Sequence, residues 1–179
     1  MVHKCMQNDE VPLILTNIRP VQCPQDLKHL MDIDLKCFED PWDEIDWEEV
    51  YSTNHHNKHK VLIGTTMGVP ISFIVWYEDG VNGCVKRFGV RPGFQGKGVG
   101  TKLLDAVETS VRHNQCAQLF VEVSESMVYE MVQDRTCISV PEWLGNRGFK
   151  ATIVKQGGGL YCGQIEDLIV FEKTFTEGG

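Results

Sequence analysis

The fold-determining stretch of the sequence is Val90-Arg91-Pro92-Gly93-Phe94-Gln95-Gly96-Lys97-Gly98-Val99-Gly100-Thr101. An apolar segment over 84–90 precedes the loop and predicts a strand, and apolar residues at helical spacing follow it. Glycine lets the main chain approach a ligand closely, and the free N–H groups of a first helical turn favour an anion such as pyrophosphate. The spacing is neither that of a P-loop nor GxGxxG. The stretch therefore predicts an anion-binding loop, and a purely structural glycine turn is the alternative.

Working outward from this loop, the remaining patterns predict a mixture of strands and helices. Further strands are predicted at 13–18, 60–64, 69–77, 118–123, 150–155 and 165–171, with Met67-Gly68 as a hairpin turn. Further helices are predicted at 24–38, 45–51, 128–133 and 141–146, in addition to the long helix after the loop. This order predicts an α+β fold with a mixed sheet.

The composition is that of a globular protein. The chain has 179 residues, 42% of them hydrophobic, so we expect a single domain over 1–179 with a core over about 13–175 and flexible ends at 1–10 and 176–179. Lys and Arg number 17 against 25 Asp and Glu, which gives a net charge of −8. A protein that binds duplex nucleic acid needs a broad basic face, so we expect no direct nucleic-acid binding.

Cysteine usage and hydropathy predict the compartment. No CxxC pair occurs among the seven cysteines, which is typical of reduced cytosolic thiols. Residues 1–10 carry no apolar stretch of signal-peptide length, and no run approaches the roughly 18 apolar residues of a membrane span. We therefore expect a cytoplasmic protein that does not bind membranes. His55, His56 and His59 lack the spacing of a metal site and predict a polar loop, so no metal is expected.

The glycine loop resembles the signature of the GCN5-related N-acetyltransferase (GNAT) family. The segment Gln95-Gly96-Lys97-Gly98-Val99-Gly100 fits the family pattern Q/R-x-x-G-x-G/A, which holds the pyrophosphate of acetyl-coenzyme A. The segments 119–123 and 146–149 are similar to the fifth strand and to the C-terminal "lGF" of the family. The segment 37–42 is similar to the ribosomal-protein alanine acetyltransferase (RimI-like) and N-terminal acetyltransferase branch.

This resemblance implies a fold and a cofactor site. The fold is α+β, with a mixed, mostly antiparallel sheet of about seven strands, splayed between the fourth and fifth strands and flanked by helices. Acetyl-coenzyme A is the implied co-substrate, with its pantetheine arm between the splayed strands. Lys97 and Arg91 are two cations that could offset phosphate charge, and solvated surface positions are the alternative for both. The implied cofactor-binding residues are Phe88, Gly89, Val90, Gln95, Gly96, Lys97, Gly98, Val99, Gly100 and Thr101.

The transfer of an acetyl group to an amine needs a group that accepts the proton of the amine. Many family members carry a glutamate on the fourth strand, but Lys86 and Arg87 occupy those positions here. Glu122 is the only carboxylate inside an apolar strand segment and matches a glutamate of the RimI-like branch, so we identify it as the candidate base. Partial burial is expected to raise its pKa towards neutrality. The alternative is a solvent-facing strand residue.

The acid that protonates the departing thiolate is harder to assign. The family commonly has a tyrosine at the position of Leu144, and an asparagine after the fifth strand is also missing. Tyr161 lies where the family often has a tyrosine near the acceptor, and Tyr129 lies in an apparent insertion at 127–138. Tyr161 is therefore the candidate acid. The alternatives are Tyr129, packing roles for both tyrosines, and a thiolate that leaves without an enzymic acid.

An acidic segment, defined here as residues 39–49, holds seven carboxylates and no cation. The resemblance places this segment beside the acceptor site, which suggests a cationic amine acceptor such as a polyamine, an aminoglycoside or a peptide. The alternative is a solvated acidic face. Trp42 and Trp47 are expected to be core anchors of this segment, and substrate contacts are the alternative.

The function predicted from these residues is N-acetyl transfer from acetyl-coenzyme A to a primary amine of a small molecule or protein, by direct transfer in a ternary complex. Two other classes of protein remain as alternatives. One is a non-catalytic module that binds coenzyme A or acetyl-coenzyme A, and the other is an interaction protein that uses the acidic segment to bind a basic partner.

Overall fold

The structure, a computed structural model, describes residues 17–51, 59–129, 138–161 and 164–175. Within these ranges the chain forms seven strands and five helices. The strands are β1 (Asn17–Pro20), β2 (His59–Thr66), β3 (Val69–Asp79), β4 (Asn82–Val90), β5 (Gln118–Ser124), β6 (Lys150–Tyr161) and β7 (Gln164–Thr174). The helices are α1 (Pro24–Cys37), α2 (Glu44–Tyr51), α3 (Val99–His113), α4 (Glu125–Tyr129) and α5 (Val140–Asn146). None of the helices in these ranges is long and apolar enough to cross a membrane.

The seven strands form one mixed sheet in the order β1-β2-β3-β4-β5-β7-β6. Only β4 and β5 pair in parallel, and they do so over the short register from Asn82 opposite Gln118 to Val85 opposite Val121. The other neighbours are antiparallel. Beyond Val85 and Val121, β4 continues to pair with β3, and β5 continues to pair with β7, so the two central strands part. This confirms the predicted α+β class and the splay between the fourth and fifth strands.

Two layers of helix cover the sheet. The apolar residues of α3 at 99, 103, 104, 107 and 111 are buried, and four of them pack with Val85, Leu119 and Val123 on one face. The opposite face carries Phe73 and Val75, which pack against α1 and α2. Trp47 is fully buried there, with its ring 5.2 Å from that of Phe73. Trp42 packs against the same cluster, so the prediction that both tryptophans are core anchors is confirmed.

The ends of α1 and α2 follow local sequence signals. Helix α1 begins with Pro24, whose fixed φ suits a first helical turn, as predicted. It ends where the N–H of Phe38 donates to the carbonyl of Asp34. At the start of α2, the N–H of Asp46 donates to the carboxylate of Asp43 at 2.9 Å, and the N–H of Asp43 donates to the carboxylate of Asp46 at 3.1 Å. This reciprocal arrangement is a capping box built from two aspartates.

Several helices and strands begin or end at residues other than those predicted from the sequence. Strand β1 starts at Asn17, and residues 13–16 of the predicted strand lie outside the described residues, as do the expected flexible ends. Helix α4 begins at Glu125, three residues before the predicted 128–133, and the rest of the apparent insertion up to 137 is not described. Strands β6 and β7 are both longer than predicted, and β6 continues past Lys155 through a register shift at Gly157, Gly158 and Gly159. A Cβ on Gly159 would lie 2.9 Å from Leu168, so this glycine permits close packing within the hairpin.

Candidate active site

The opening between β4 and β5 is the central feature of the site. Past Val85, Lys86 lies at an irregularity in the register between β3 and β4, and residues 87–90 pair only with β3, from Arg87 opposite Val75 to Val90 opposite Ser72. Past Val121, residues 122–124 of β5 pair only with β7. The edges that these two segments turn towards each other are therefore available to a ligand that can form main-chain hydrogen bonds.

The glycine loop lies at the mouth of this opening, between the end of β4 and the start of α3. Gly93, Gly96 and Gly98 have φ values of 86°, 68° and 77°, a left-handed conformation that favours glycine. Gly98 is also the N-cap of α3, and a Cβ built there would meet nothing within 4 Å. The N-cap of α3 therefore borders open space, and the residues present there fit a bound pyrophosphate.

Gly100 has a packing role in addition to the predicted role in cofactor binding, which stays a prediction. A Cβ there would lie 2.7 Å from the ring of Phe88, so this glycine lets α3 pack closely on β4. Phe88 in turn stacks on Trp143 of α5, with the ring centroids 5.7 Å apart and the planes 8° from parallel. The indole N–H of Trp143 donates to the hydroxyl of Thr101 at 3.2 Å. Close packing, rather than ligand approach alone, therefore explains one of the three alternating glycines.

The ten residues predicted to bind the cofactor lie together at this mouth. The side-chain amide of Gln95 donates to the carbonyl of Val90 at 2.9 Å, which ties the loop to the end of β4. Val99 is buried against Ile71 and Val90, so it can offer a ligand only its main chain. These positions join the end of β4, the loop and the first turn of α3 into one surface.

The two cations predicted near the phosphates contact the protein itself. The ammonium of Lys97 donates to the carbonyl of Gly93 at 2.7 Å and is exposed. The guanidinium of Arg91 forms an ion pair with Asp32 on α1. Arg91 therefore anchors the start of the loop to α1, and a phosphate would share its charge with Asp32.

Glu122 lies just past the last residue of β5 that pairs with β4, and its side chain is 10% exposed. One carboxylate oxygen accepts from the ammonium of Lys86 on β4 at 3.1 Å, and the other accepts from Lys155 on β6. Burial raises the pKa of Glu122, but the hydrogen bonds and charges of the two lysines outweigh burial and leave its pKa lowered. The expectation of a raised pKa is wrong, because lysines from two other strands face the carboxylate.

Other titratable groups adjoin this cluster on β3 and β4. The ammonium of Lys86 lies 5.5 Å from the centre of the Tyr77 ring. A hydrogen bond with the Cys84 thiol, together with burial, raises the pKa of Tyr77 to about 12. Burial raises the pKa of Cys84, and the charge of Glu122 adds to the effect. Both groups are therefore neutral at physiological pH.

Arg87 forms a buried ion pair that the sequence does not indicate. Its Nε and Nη2 atoms donate to the two carboxylate oxygens of Asp34, at 2.8 and 3.1 Å, and Nη2 also donates to the carbonyl of Asp40 at 2.9 Å. The guanidinium lies 3.8 Å from the centre of the Phe38 ring. Asp34 is fully buried and accepts from the N–H of Trp42 at 2.7 Å. Asp34 lies on the apolar side of α1, four residues after Leu30, and this position is the one local signal in the sequence for its contact with Arg87.

The contact between the Arg87 guanidinium and the carbonyl of Asp40 holds the acidic segment beside β4. Arg87 is the second residue of β4 beyond its pairing with β5. Asp43 and Asp46 form the capping box of α2, so two of the seven carboxylates have a structural role. Glu44 and Glu48 are exposed, one turn apart on α2. The segment is thus part helix cap and part exposed acidic face.

Tyr161 ends β6, where it pairs with Gln164 at the tip of the hairpin, six residues beyond Lys155. Its role as the acid stays a prediction. Leu144 is fully buried in the core between α5 and the sheet.

Of the histidine group, His55 and His56 lie outside the described residues, and His59 on β2 packs edge-on against Tyr77. Among the residues that the structure describes, no three His, Cys, Asp or Glu side chains come together as a metal site would require.

Comparison with known proteins adds to this geometry. Among solved structures, the ribosomal-protein-S18-alanine N-acetyltransferase from Escherichia coli has a TM-score of 0.69 at 17% identity, covering 91% of this chain and 96% of its own. Ard1 from Thermoplasma volcanium has a TM-score of 0.70 at 17% identity, covering 90% and 98%. An aminoglycoside 6'-N-acetyltransferase complexed with coenzyme A has a TM-score of 0.69 at 16% identity, covering 89% and 97%. At these identities the likeness concerns the fold.

The sequence itself matches a family description. No significant match is found among curated protein sequences. The sequence model of the "Acetyltransferase (GNAT) family" matches residues 27–129, which is more than half of the chain and includes the glycine loop, the opening and Glu122. The chain therefore belongs to the GNAT acetyltransferase family.

Proposed function

We propose that the protein is an N-acetyltransferase that moves the acetyl group of acetyl-coenzyme A to a primary amine, by direct transfer in a ternary complex. The observation that carries the proposal is the parting of β4 and β5 with the glycine loop at its mouth. The solved structure with coenzyme A bound, which shares this fold, supports the choice of co-substrate. We also propose that the protein acts in the cytoplasm, on the grounds of its cysteine usage.

In this proposal the cofactor lies along the surface formed by residues 88–90 and 95–101. Acetyl-coenzyme A supplies an activated thioester. The N–H groups at the start of α3 would hold its pyrophosphate, and the open edge of β4 would pair with the pantetheine arm. Its reactive end would then lie near residues 86–88 and 122–124, where the strands begin to part.

Glu122 is the proposed base. Because its pKa is lowered, it is ionised at neutral pH and can accept a proton from the amine, directly or through water. The two lysines make it a weaker base than a carboxylate that is buried alone. Tyr161 is the proposed acid for the thiolate, and departure of the thiolate without an enzymic acid is the alternative.

The proposed acceptor is a cationic amine: a polyamine, an aminoglycoside or the end of a peptide. The exposed carboxylates of Glu44 and Glu48 would attract it, and the tie between Arg87 and Asp40 keeps the acidic segment beside the opening. The S18-alanine N-acetyltransferase and Ard1 among the structural neighbours support the RimI-like and N-terminal acetyltransferase branch. The first of these supports a protein acceptor, and the aminoglycoside 6'-N-acetyltransferase supports an aminoglycoside to the same degree.

The cofactor site is tested by replacing Gly98. A Gly98→Val variant should lose binding of acetyl-coenzyme A in calorimetry, because a branched side chain would fill the space in front of α3. Gly93→Val is the matched control, since Gly93 also has a positive φ and open space but does not lie at the helix start. Equal affinity in both variants would contradict the site.

The chemistry is tested with Glu122→Gln, assayed by the release of free coenzyme A thiol over a panel of amines. We expect kcat to fall by about 10²-fold with little change in cofactor affinity. Cofactor binding by the wild-type protein without turnover of any amine would instead identify a non-catalytic binding module. A basic partner that binds equally well with and without coenzyme A would favour the interaction protein.

A further inference from the structure

A primary amine of the protein itself bridges the opening. The pairing between β4 and β5 ends at Val85 and Val121. Lys86 is the next residue on β4, and Glu122 is the next residue on β5. The Lys86 side chain crosses between the two parted strands and places its ammonium 3.1 Å from the Glu122 carboxylate. The side chain is 35% exposed, so small molecules in solvent can reach it.

This arrangement is the one that an acceptor amine needs. In the proposed mechanism, the amine must contact the base and lie where the reactive end of the cofactor arrives. Lys86 meets the first requirement by its hydrogen bond to Glu122, and it meets the second by its place at the start of the opening. We propose that Lys86 is a self-acetylation site, whose amine accepts an acetyl group from acetyl-coenzyme A bound to the same molecule. This inference rests on the proposed function.

The reaction balances without any further reagent. The ammonium of Lys86 first gives one proton to Glu122, or through it to solvent. The lone pair of the amine then attacks the thioester carbonyl, so that a C–N bond forms and the C–S bond breaks. The nitrogen loses a second proton, and the thiolate leaves and takes up one proton. The products are N-acetyl-lysine, the free thiol of coenzyme A and one proton.

Lys155, the other lysine at Glu122, provides a comparison within the same molecule. It reaches Glu122 from β6, at the edge of the sheet and with β7 in between, whereas Lys86 lies on the strand that borders the opening. Acetylation should therefore select Lys86 over Lys155, although both amines contact the same carboxylate.

Acetylation of Lys86 would also change the base. The product is neutral, so Glu122 would keep only Lys155 as a cationic partner. Since burial already acts to raise the pKa of Glu122, the loss of one of the two opposing charges should move that pKa upwards. The modification would therefore adjust the carboxylate on which turnover of other amines depends.

The experiment incubates the full chain with isotopically labelled acetyl-coenzyme A and follows acetylation of each lysine by peptide mass spectrometry. Exposed Lys102 and Lys150 report the background of chemical acetylation. We expect Lys86 to react at least about 10-fold faster than they do, because it is held in place. The rate should be independent of protein concentration, and Lys86→Arg should abolish the fast incorporation. A carbon NMR titration of the Glu122 carboxyl, without cofactor, should show a higher pKa in the acetylated protein.

Two outcomes separate this inference from the proposed function. If external amines are acetylated while Lys86 reacts no faster than Lys102 and Lys150, or reacts at a rate that grows with protein concentration, self-acetylation is wrong and the proposed function stands. If the protein neither binds acetyl-coenzyme A nor acetylates any amine, the proposed function is wrong, and this inference with it.

Discussion

The buried ion pair between Arg87 and Asp34 should make a large contribution to the stability of the fold. In an Arg87→Met variant, Asp34 loses two charge-assisted hydrogen bonds, of 2.8 and 3.1 Å, and keeps only the N–H of Trp42. Hydrogen bonds to charged groups contribute about 1.5–3 kcal/mol each. Removal of one partner of a buried pair costs about 3–5 kcal/mol, because an uncompensated charge is left in the core. We therefore expect a loss of about 3–5 kcal/mol in the free energy of unfolding.

Urea unfolding followed by tryptophan fluorescence measures this loss, since Trp42 and Trp47 lie in the same cluster. The midpoint should fall while the slope of the transition stays constant. Arg87→Lys keeps the charge but loses the two-point contact, so it should lie between the wild type and Arg87→Met. In the double variant Arg87→Met/Asp34→Asn the losses should be less than additive, because no buried charge is left unpaired.

A loss below about 1 kcal/mol for Arg87→Met would refute this reasoning, because that is the range of an exposed ion pair. Additive losses in the double variant would show that the two side chains act independently. The unfolding measurement needs no substrate, so its result does not depend on the proposed chemistry.

Three other perturbations test separate parts of the structure. In Lys155→Met, the pKa of Glu122 should rise because one of the two cations that lower it is lost. The acidic limb of the plot of kcat/KM against pH should therefore move to higher pH. An unchanged plot would exclude Glu122 as the titrating base. Gly100→Val should push Phe88 away and cost about 1–3 kcal/mol by overpacking, measured by thermal unfolding, and wild-type stability would contradict the close contact. Asp43→Ala should cost about 1 kcal/mol through loss of the α2 cap, whereas an unchanged unfolding midpoint would exclude that role.

The elements that carry a strong local period were predictable from the sequence. Helices α1, α2, α3 and α5 and the hairpin of β2 and β3 lie within a few residues of their predicted positions, because their apolar spacing matches the face that they bury. The full length of β6 was not predictable, since three consecutive glycines are typical of a turn, whereas here Gly157 has a φ of 59° within an irregularity and Gly159 resumes the pairing with β7. The local pattern does not show that a strand resumes its pairing after such an irregularity.

The residues of the candidate site also divide into those that the local sequence predicts and those whose contacts it does not predict. The loop and its position before α3 followed from the spacing of the glycines, and Glu122 stood out as a carboxylate in an apolar strand. The sign of its pKa shift was missed because Lys86 and Lys155 are 36 and 33 residues away along the chain. The partner of Arg87 is 53 residues away. Contacts over such separations depend on the order of strands in the sheet, which the pattern along one segment does not contain.

The parting of β4 and β5 creates an edge in the interior of a sheet. An exposed edge is a template on which a strand of another chain can add, and folded proteins protect ordinary edges with charged side chains, lysine above all. Lys86 and Glu122 stand where this internal edge begins, and their ion pair spans it. The same two charges therefore protect this internal edge against pairing with a strand of another chain.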